Sequence, residues 1–143
     1  MRVLGVDFGH KRIGLALSDE TGTVAQPLDY IDGAAAAKVS LELARICTER
    51  EVGKIVVGVP LRLDGTPSEQ TERTLAFITE LRRATTIPVA EWDERLTSVQ
   101  AERALLEGNV RRSDRKQKID KLAAQIMLQS YLDVTNPPSA EEA

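Results

Sequence analysis

The expected architecture follows from one stretch near the N-terminus, Val3-Leu-Gly-Val-Asp-Phe-Gly-His-Lys-Arg-Ile-Gly-Leu-Ala-Leu-Ser-Asp19. It contains two short apolar runs, 2–7 and 13–18, separated by a turn centred on Gly9, and this pattern predicts two antiparallel strands. The first strand ends on Asp7. Because a buried carboxylate is costly without a partner, Asp7 needs a cationic side chain, a metal ion or a ligand beside it.

Strand and helix patterns alternate along the rest of the chain. The predicted elements are, in order, a strand over 23–31, a helix over 34–51, strand 54–60, helix 68–83, strand 88–92, and helices over 97–109 and 115–132. A meander of three strands followed by βαβαβ crossovers predicts an α/β fold, a mixed five-stranded sheet with helices on both faces. Pro27 places the third strand at an edge or a bulge. Ser68 is a predicted N-cap, but with Thr71 three residues later no full capping box is expected.

The size and composition indicate one globular unit. The chain has 143 residues, of which 42% are apolar and 29% charged, and this is enough for one domain with a sizeable core. We expect a single domain over 1–135 and a disordered tail over 136–143. No apolar run is long enough to span a membrane and no signal-peptide pattern is present, so the expected location is the cytoplasm. The single cysteine and single histidine give no sign of a disulfide or a zinc site.

Three acidic positions are predicted to meet where the parallel strands end. Asp7 ends the first strand, Asp93-Glu94 ends the last, and Asp120 lies near the start of the final helix. Like charges at one site repel unless a cation is present, and Mg²⁺ and Mn²⁺ prefer oxygen ligands. Neighbouring side chains in a strand point to opposite faces, so only one of Asp93 and Glu94 is expected to join the cluster, and the longer Glu94 is favoured.

The basic residues are concentrated beside one of these acids. The net charge is −3, so the protein as a whole does not attract nucleic acid, but local patches do. The predicted nucleic-acid-binding residues are Lys11, Arg12, Arg95, Arg111, Arg112, Arg115, Lys116, Lys118 and Lys121. Aromatic residues make up only 3% of the chain, so recognition of backbone and shape is expected to outweigh base stacking. Supporting roles around the site are predicted for Gly9, Asp64, Asp93 and Thr97.

Four motifs, in order along the chain, resemble the YqgF family of pre-16S rRNA nucleases and Holliday junction resolvase-like proteins. They are Gly5-Val-Asp-Phe-Gly-His-Lys-Arg-Ile-Gly14, Val57-Gly-Val-Pro-Leu61 with Asp64-Gly65, Asp93-Glu-Arg-Leu-Thr-Ser98, and Lys118-Ile-Asp-Lys-Leu-Ala-Ala124 followed by Leu128-Gln-Ser-Tyr-Leu132. The resemblance implies a ribonuclease H-like fold, a divalent-metal nuclease activity and a role in maturing the 5′ end of small-subunit ribosomal RNA. It assigns the family's acidic residues to Asp7, Glu94 and Asp120.

The resemblance also implies partners. The cofactor is expected to be Mg²⁺ or Mn²⁺, and the substrate a nucleic acid, with structured RNA favoured over a DNA junction. A pre-ribosomal particle is a further expected partner, no membrane is involved, and the protein is expected to be a monomer or a weak homodimer. The pattern differs from the wider resolvase group, which places a glutamate where this chain has Gly58-Val59 and commonly carries two acids on the last helix.

Three other functions compete with this one. The first is a Holliday junction resolvase-like DNA nuclease. The second is a phosphotransferase or ATPase, because the Asp7-Phe-Gly9 turn also resembles the first phosphate loop of the actin, Hsp70 and sugar kinase group, although those proteins use two such domains. The third is a non-catalytic nucleic-acid or ribosome-associated factor, in which the acids at the strand ends form ion pairs with Arg12 and Arg95.

Overall fold

The computed structural model describes residues 1–9, 12–32, 36–97 and 112–135, with backbone alone at 29, 32, 36–37 and 112–121. Its elements are β1 (Arg2–Phe8), β2 (Arg12–Ser18), β3 (Ala25–Asp32), α1 (Ala36–Glu49), β4 (Val52–Val59), α2 (Glu69–Ala84), β5 (Val89–Asp93), a 3₁₀ turn (Glu94–Leu96) and α3 (Arg112–Thr135). The helix predicted over 97–109 and the tail predicted over 136–143 lie outside the described residues, apart from Thr97.

The five strands form one mixed sheet in the order β3-β2-β1-β4-β5. β1 pairs antiparallel with β2, and β2 pairs antiparallel with β3, as the predicted meander requires. β1 is parallel to β4, and β4 is parallel to β5, so these three strands end at the same edge of the sheet. Pro27 lies on the edge strand β3, where a missing backbone N–H donor is tolerated. The predicted mixed five-stranded sheet is therefore confirmed.

Helices cover both faces of the sheet. The strands alternate, so that Leu4, Val6 and their neighbours face α1 and α2, where Phe77 is among the largest fully buried side chains. The opposite face packs against α3, where Leu128 is fully buried and Tyr131 nearly so. Each such side chain contributes about 1.5–3 kcal/mol by leaving water. Within the described part of the chain, no helix is both long and apolar enough to cross a membrane.

The helix α3 packs against the sheet at very short range. A Cβ atom added to Gly5 would lie only 2.9 Å from the Cβ of Leu128. Four residues earlier along α3, the Cβ of Ala124 lies 3.5 Å from the position a Cβ would take on Gly14. Gly14 pairs with Asp7, two residues after Gly5 in β1, so α3 runs antiparallel to β1 and its early turns approach the end of that strand.

The start of α2 corrects one expectation. The Ser68 hydroxyl accepts a hydrogen bond from the Thr71 backbone N–H at 3.2 Å, and the Thr71 hydroxyl accepts one from the Ser68 N–H at 2.8 Å. A complete capping box is therefore present, and the expectation that it would be absent is wrong. A threonine hydroxyl takes the place of the usual Glu or Gln because it reaches the same backbone donor.

Candidate active site at the ends of the parallel strands

The first carboxylate of the site comes from β1. Asp7 is the second-last residue of this strand and pairs with Gly14 of β2. Alternate residues of a strand face the same side of the sheet, so Asp7 faces the same side as Val3. Because Val3 packs against α3, Asp7 lies on the α3 face of the sheet. Its side chain is only partly buried. An acidic group therefore occupies the edge where β1, β4 and β5 end, in the region where such sheets bind their ligands.

The second carboxylate comes from the turn after β5. Glu94 begins the 3₁₀ turn, and its side chain lies over Gly58 of β4, within hydrogen-bonding reach of the Asp7 carboxyl group. Burial, and after it the nearby Asp7 carboxylate, together raise the pKa of Glu94 to about 8. The structure thus brings two of the three predicted acids together, and in doing so gives one of them a strong preference for the protonated form.

Asp93 has its own cationic partner. Its carboxylate forms an ion pair with the Arg95 guanidinium at 2.6 Å and accepts a hydrogen bond from the Arg95 backbone N–H at 3.0 Å. The Arg95 hydrogen bonds hold the pKa of Asp93 below its usual value. Asp93 and Glu94 therefore differ in charge balance, because Arg95 forms an ion pair with Asp93 and not with Glu94.

Asp7 and Glu94, the inner pair, do not form the ion pairs with Arg12 and Arg95 that a purely structural role would require. Among the described side chains, none of the ion pairs involves Asp7 or Glu94. The Arg12 guanidinium lies over the ring of Tyr30, 5.7 Å from its centre. Within the described part of the chain, neither Arg12 nor Arg95 therefore balances the negative charge of Asp7 and Glu94.

Position 120 approaches the same edge through the backbone of α3. It lies four residues before Ala124, one helical turn nearer the end of β1, and positions four apart share a helix face. The structure describes the helix here but not the side chain of Asp120. Among the side chains it does describe, no group of three acids, histidines or cysteines could hold a metal ion. Asp7 and Glu94 are thus the two predicted acids whose side chains the structure describes together.

The donor set fits a hard divalent cation. Two carboxylates held together supply only oxygen ligands, which Mg²⁺ and Mn²⁺ prefer. Crowding of Asp7 and Glu94, together with burial, disfavours the state in which both are charged. A bound divalent ion reverses this penalty, because its charge stabilises the doubly ionised pair.

The supporting residues fix the backbone around the pair. The Gly9 N–H donates to the Arg12 carbonyl at 3.1 Å, and a Cβ on Gly9 would lie 2.7 Å from that same oxygen, so the turn after β1 requires glycine. Thr97 is buried, its hydroxyl accepts a hydrogen bond from Trp92 Nε1 at 2.8 Å, and its N–H donates to the Glu94 carbonyl at 3.0 Å. These contacts hold the ends of the two segments that carry the acids.

Asp64 forms a turn beside the site. Its carboxylate accepts hydrogen bonds from the Thr66 backbone N–H at 2.9 Å and from the Thr66 hydroxyl at 2.6 Å. These hydrogen bonds hold the pKa of Asp64 below its usual value. The Arg95 side chain reaches the same loop, where its Nη1 lies 3.5 Å from the Leu63 carbonyl oxygen. Asp64 thus shapes the loop next to the site.

Two residues near the site were not anticipated from the sequence. Gln70 donates from Nε2 to the Phe8 carbonyl at 2.8 Å, which ties the start of α2 to the end of β1. Gly58 provides the space that Glu94 occupies. A signal for Gly58 exists, because an isolated glycine in the valine-rich strand Lys54-Ile-Val-Val-Gly-Val59 is typical of close approach by another group.

The remaining basic candidates lie largely outside the described side chains. Lys11 and Arg111 are outside the described residues, and the backbone alone is described for the rest of the basic run. That run occupies the first turns of α3, the part of the helix that approaches the end of β1. It comprises Arg112, Arg115, Lys116, Lys118 and Lys121.

Solved structures define the class of fold. The chain superposes on RuvC from T. thermophilus in complex with a Holliday junction substrate with a TM-score of 0.58, at 13% identity over 96% of this chain and 97% of that one. It superposes on the fowlpox virus Holliday junction resolvase with a TM-score of 0.54, at 14% identity over 94% and 99%. The protein therefore has the ribonuclease H-like fold of these resolvases, as predicted.

Sequence comparison then gives the family. The model described as "RuvX: Holliday junction resolvase" matches residues 1–134, and the chain belongs to this family, the RuvX/YqgF family of nucleases. A relative from Thermoanaerobacter pseudethanolicus is 45% identical over 134 residues, covering 93% of this chain and 96% of its own. Another, from Caldanaerobacter subterraneus subsp. tengcongensis, is 46% identical over 134 residues with the same coverage. Both are provisionally named pre-16S rRNA nucleases. The predicted family and nuclease class are confirmed.

Proposed function

We propose that the protein is a divalent-metal-dependent nuclease that hydrolyses phosphodiester bonds during 5′-end maturation of pre-16S rRNA. The observation that carries the proposal is the Asp7–Glu94 pair, two carboxylates crowded together at the strand ends with no described side chain forming an ion pair to either. Asp7, Glu94 and Asp120 are proposed as ligands of Mg²⁺ or Mn²⁺. The pre-16S rRNA substrate follows from the names of relatives about 45% identical over most of the chain.

The reaction needs charge balance and positioning, and this chain's residues supply both. When bound, divalent ions neutralise developing charge on the phosphoryl oxygens and lower the pKa of the attacking water. Asp7 and Glu94 would hold the cation at the sheet edge, where its charge would favour the ionised form of both carboxylates. The Trp92–Thr97 hydrogen bond and the Gly9 turn keep the segments bearing these acids in position. Carboxylates suit this role because they orient a cation without competing as nucleophiles.

The nucleic acid is proposed to approach along the first turns of α3. The basic run from Arg111 to Lys121, together with Lys11, Arg12 and Arg95, is proposed to contact phosphates of structured RNA. The family description supports a DNA junction as the alternative substrate. We further propose that the protein is cytoplasmic and meets a pre-ribosomal particle, and that it has one domain over 1–135 and is a monomer or weak homodimer.

The test is a cleavage assay with two substrates. A labelled precursor of small-subunit ribosomal RNA and a synthetic four-way DNA junction are each incubated with Mg²⁺, with Mn²⁺ and with EDTA. Wild type is compared with Asp7→Asn and Asp120→Asn, and Asp93→Asn is the control because Asp93 is neutralised by Arg95. We expect metal-dependent cleavage of the RNA, a loss of at least about 100-fold in the first two variants, and retained activity in the control.

The outcomes separate the competing functions. Cleavage of the junction alone would assign the protein to the DNA alternative. Undiminished cleavage by Asp7→Asn would remove the metal-ligand assignment. If neither substrate is cut and RNA binding survives EDTA, the protein is a non-catalytic nucleic-acid-binding factor.

A further inference from the structure

The space above Gly58 is filled by the side chain of Glu94. Gly58 is the second-last residue of β4 and lies on the α3 face of the sheet, two residues after Val56. A Cβ atom placed on Gly58 would lie 2.5 Å from Glu94 Oε1, 2.9 Å from its Cγ and 3.1 Å from its Cδ. Any side chain at position 58 therefore has to displace the Glu94 carboxylate.

The backbone of Glu94 is held in place, so the side chain is what would move. On one side, Asp93 is in register with Val59 at the end of the β4–β5 ladder. On the other, the Thr97 N–H donates to the Glu94 carbonyl, and the Thr97 hydroxyl accepts the Trp92 indole N–H. Rotation of the Glu94 side chain is the remaining response, and rotation takes the carboxylate away from Asp7.

We propose that Gly58 is a positioning residue of the active site, because its missing side chain leaves the space in which the Glu94 carboxylate sits beside Asp7. The inference rests on the proposed function in that Glu94 is taken to be a metal ligand. Gly58 touches no reacting atom and acts through Glu94 alone. We therefore expect a single methyl group at position 58 to weaken metal binding while leaving the fold intact.

Two other glycines on the same sheet face show why the fold is expected to survive. At Gly5 an added Cβ would meet the Cβ of Leu128 at 2.9 Å, so α3 itself would have to shift. At Gly14 the nearest atoms are the Cβ of Ala124 at 3.5 Å, Cε1 of Tyr30 at 3.6 Å and the Cβ of Asp7 at 3.7 Å, which are ordinary contacts. At Gly58 the obstruction is the Glu94 side chain from Cγ to Oε1, which can rotate without moving the sheet.

Backbone strain does not complicate the substitution. Among the described residues, the glycines with a positive φ are Gly22 and Gly65. Gly58 and Gly14 both lie in strands, so alanine fits the backbone at either position. Gly14→Ala is therefore a matched control, since it adds the same methyl group on the same sheet face beside Asp7 without meeting the Glu94 side chain.

The experiment measures metal affinity rather than cleavage. Metal-stripped wild type, Gly58→Ala, Gly14→Ala, Glu94→Ala and the double variant Gly58→Ala/Glu94→Ala are titrated with Mn²⁺ by calorimetry at pH 8, and their Tm values are measured in EDTA. We expect Gly58→Ala to weaken Mn²⁺ binding at least about tenfold, as the loss of groups that orient metal ligands commonly does, with Gly14→Ala close to wild type. In the Glu94→Ala background, Gly58→Ala should cause no further loss.

Each outcome bears on one claim. If Gly58→Ala binds Mn²⁺ as wild type does while Glu94→Ala does not, the inference about Gly58 is wrong and the proposed function stands. If Gly58→Ala weakens binding equally with and without Glu94, Gly58 acts by another route and the inference is again wrong. If Glu94→Ala itself keeps full Mn²⁺ affinity, the metal role of Glu94 fails, and the role of Gly58 fails with it.

Discussion

The turn that follows β5 places two neighbouring acids in opposite environments. On its outer side, Asp93 is paired with Arg95, and those hydrogen bonds lower the pKa of Asp93. On its inner side, Glu94 is half-buried over Gly58 beside Asp7, and its pKa rises to about 8. Asp93 and Glu94 are both carboxylic acids and are neighbours in the chain. The partner of each carboxylate explains the difference in pKa. Arg95 balances the charge of Asp93, and no described side chain balances that of Glu94.

The other loop acids resemble the outer side of this turn. Asp19 accepts hydrogen bonds from the backbone N–H groups of Thr23 at 2.8 Å and Val24 at 3.0 Å, as well as from the Thr21 hydroxyl, and these hold its pKa well below the usual range. Such carboxylates are satisfied locally and shape turns. A carboxylate kept beside a second carboxylate instead calls for a cation from outside, which is the physical basis for assigning function to the inner pair.

The largest expected effect separates the two neighbours by activity. Glu94→Gln should reduce metal-dependent cleavage at least about 100-fold, because it removes a proposed ligand, whereas Asp93→Asn should stay within a few-fold of wild type. Initial rates of RNA cleavage under saturating Mn²⁺ measure both. Equal losses in the two variants would show that the inner and outer carboxylates share one function.

The next effect is stabilisation by the metal. At a Mn²⁺ concentration 100-fold above its Kd, the folded state should gain about 2.7 kcal/mol, which corresponds to a rise in Tm of about 5–10 °C for a chain of this size. Asp93→Asn should retain this rise, and Asp7→Asn should lose most of it. A thermal scan of the three proteins with Mn²⁺ and with EDTA is sufficient, and an unchanged rise in Asp7→Asn contradicts the assignment.

A smaller effect concerns pH in the absence of metal. The pKa of Glu94 is about 8 in the folded protein against an ordinary value of 4.5, so between these values the folded state holds a proton that the unfolded state has released. The stability of the metal-free protein should therefore fall as pH rises from about 4.5 to about 8 and change little above that range. Asp93 and Asp64, whose pKa values are lowered, act in the opposite sense and only at acid pH.

The control for this pH dependence is Glu94→Gln. Its Tm in EDTA should be nearly independent of pH between about 5 and 8 and should exceed that of wild type at pH 8, because the repulsion with Asp7 is gone. Parallel Tm curves for the two proteins over this range would indicate that Glu94 does not carry the raised pKa.

The smallest effect is expected at the outer loop. Asp64→Asn keeps an oxygen acceptor for the Thr66 N–H but removes the charge that faces Arg95. We expect the Tm to stay within about 3 °C of wild type and Mn²⁺ affinity to be unchanged, because exposed carboxylates of this kind contribute little. A marked loss of metal affinity would place Asp64 with the inner pair rather than the outer group.

Much of the architecture could be predicted from local pattern. Alternation and turn residues identify the three-stranded meander, and Pro27 marks the edge strand, because these features depend on backbone chemistry within a few residues. The position of Asp7 at a strand end is equally local. The capping box of α2 was missed because the rule names Glu or Gln, whereas the Thr71 hydroxyl reaches the same donor.

The sequence by itself determined the order of strands and helices and the acids that can reach the sheet edge, since both follow from residue type and spacing. Only the tertiary structure decided which acid receives which partner. From the sequence alone, Arg95 could form an ion pair with either Asp93 or Glu94. The conformation of the folded turn pairs it with Asp93. Gly58 and Glu94 are 36 positions apart in the sequence, so their shared space exists only once β4 and β5 are paired. Charge balance and excluded volume act through space, and the chain order does not encode those distances.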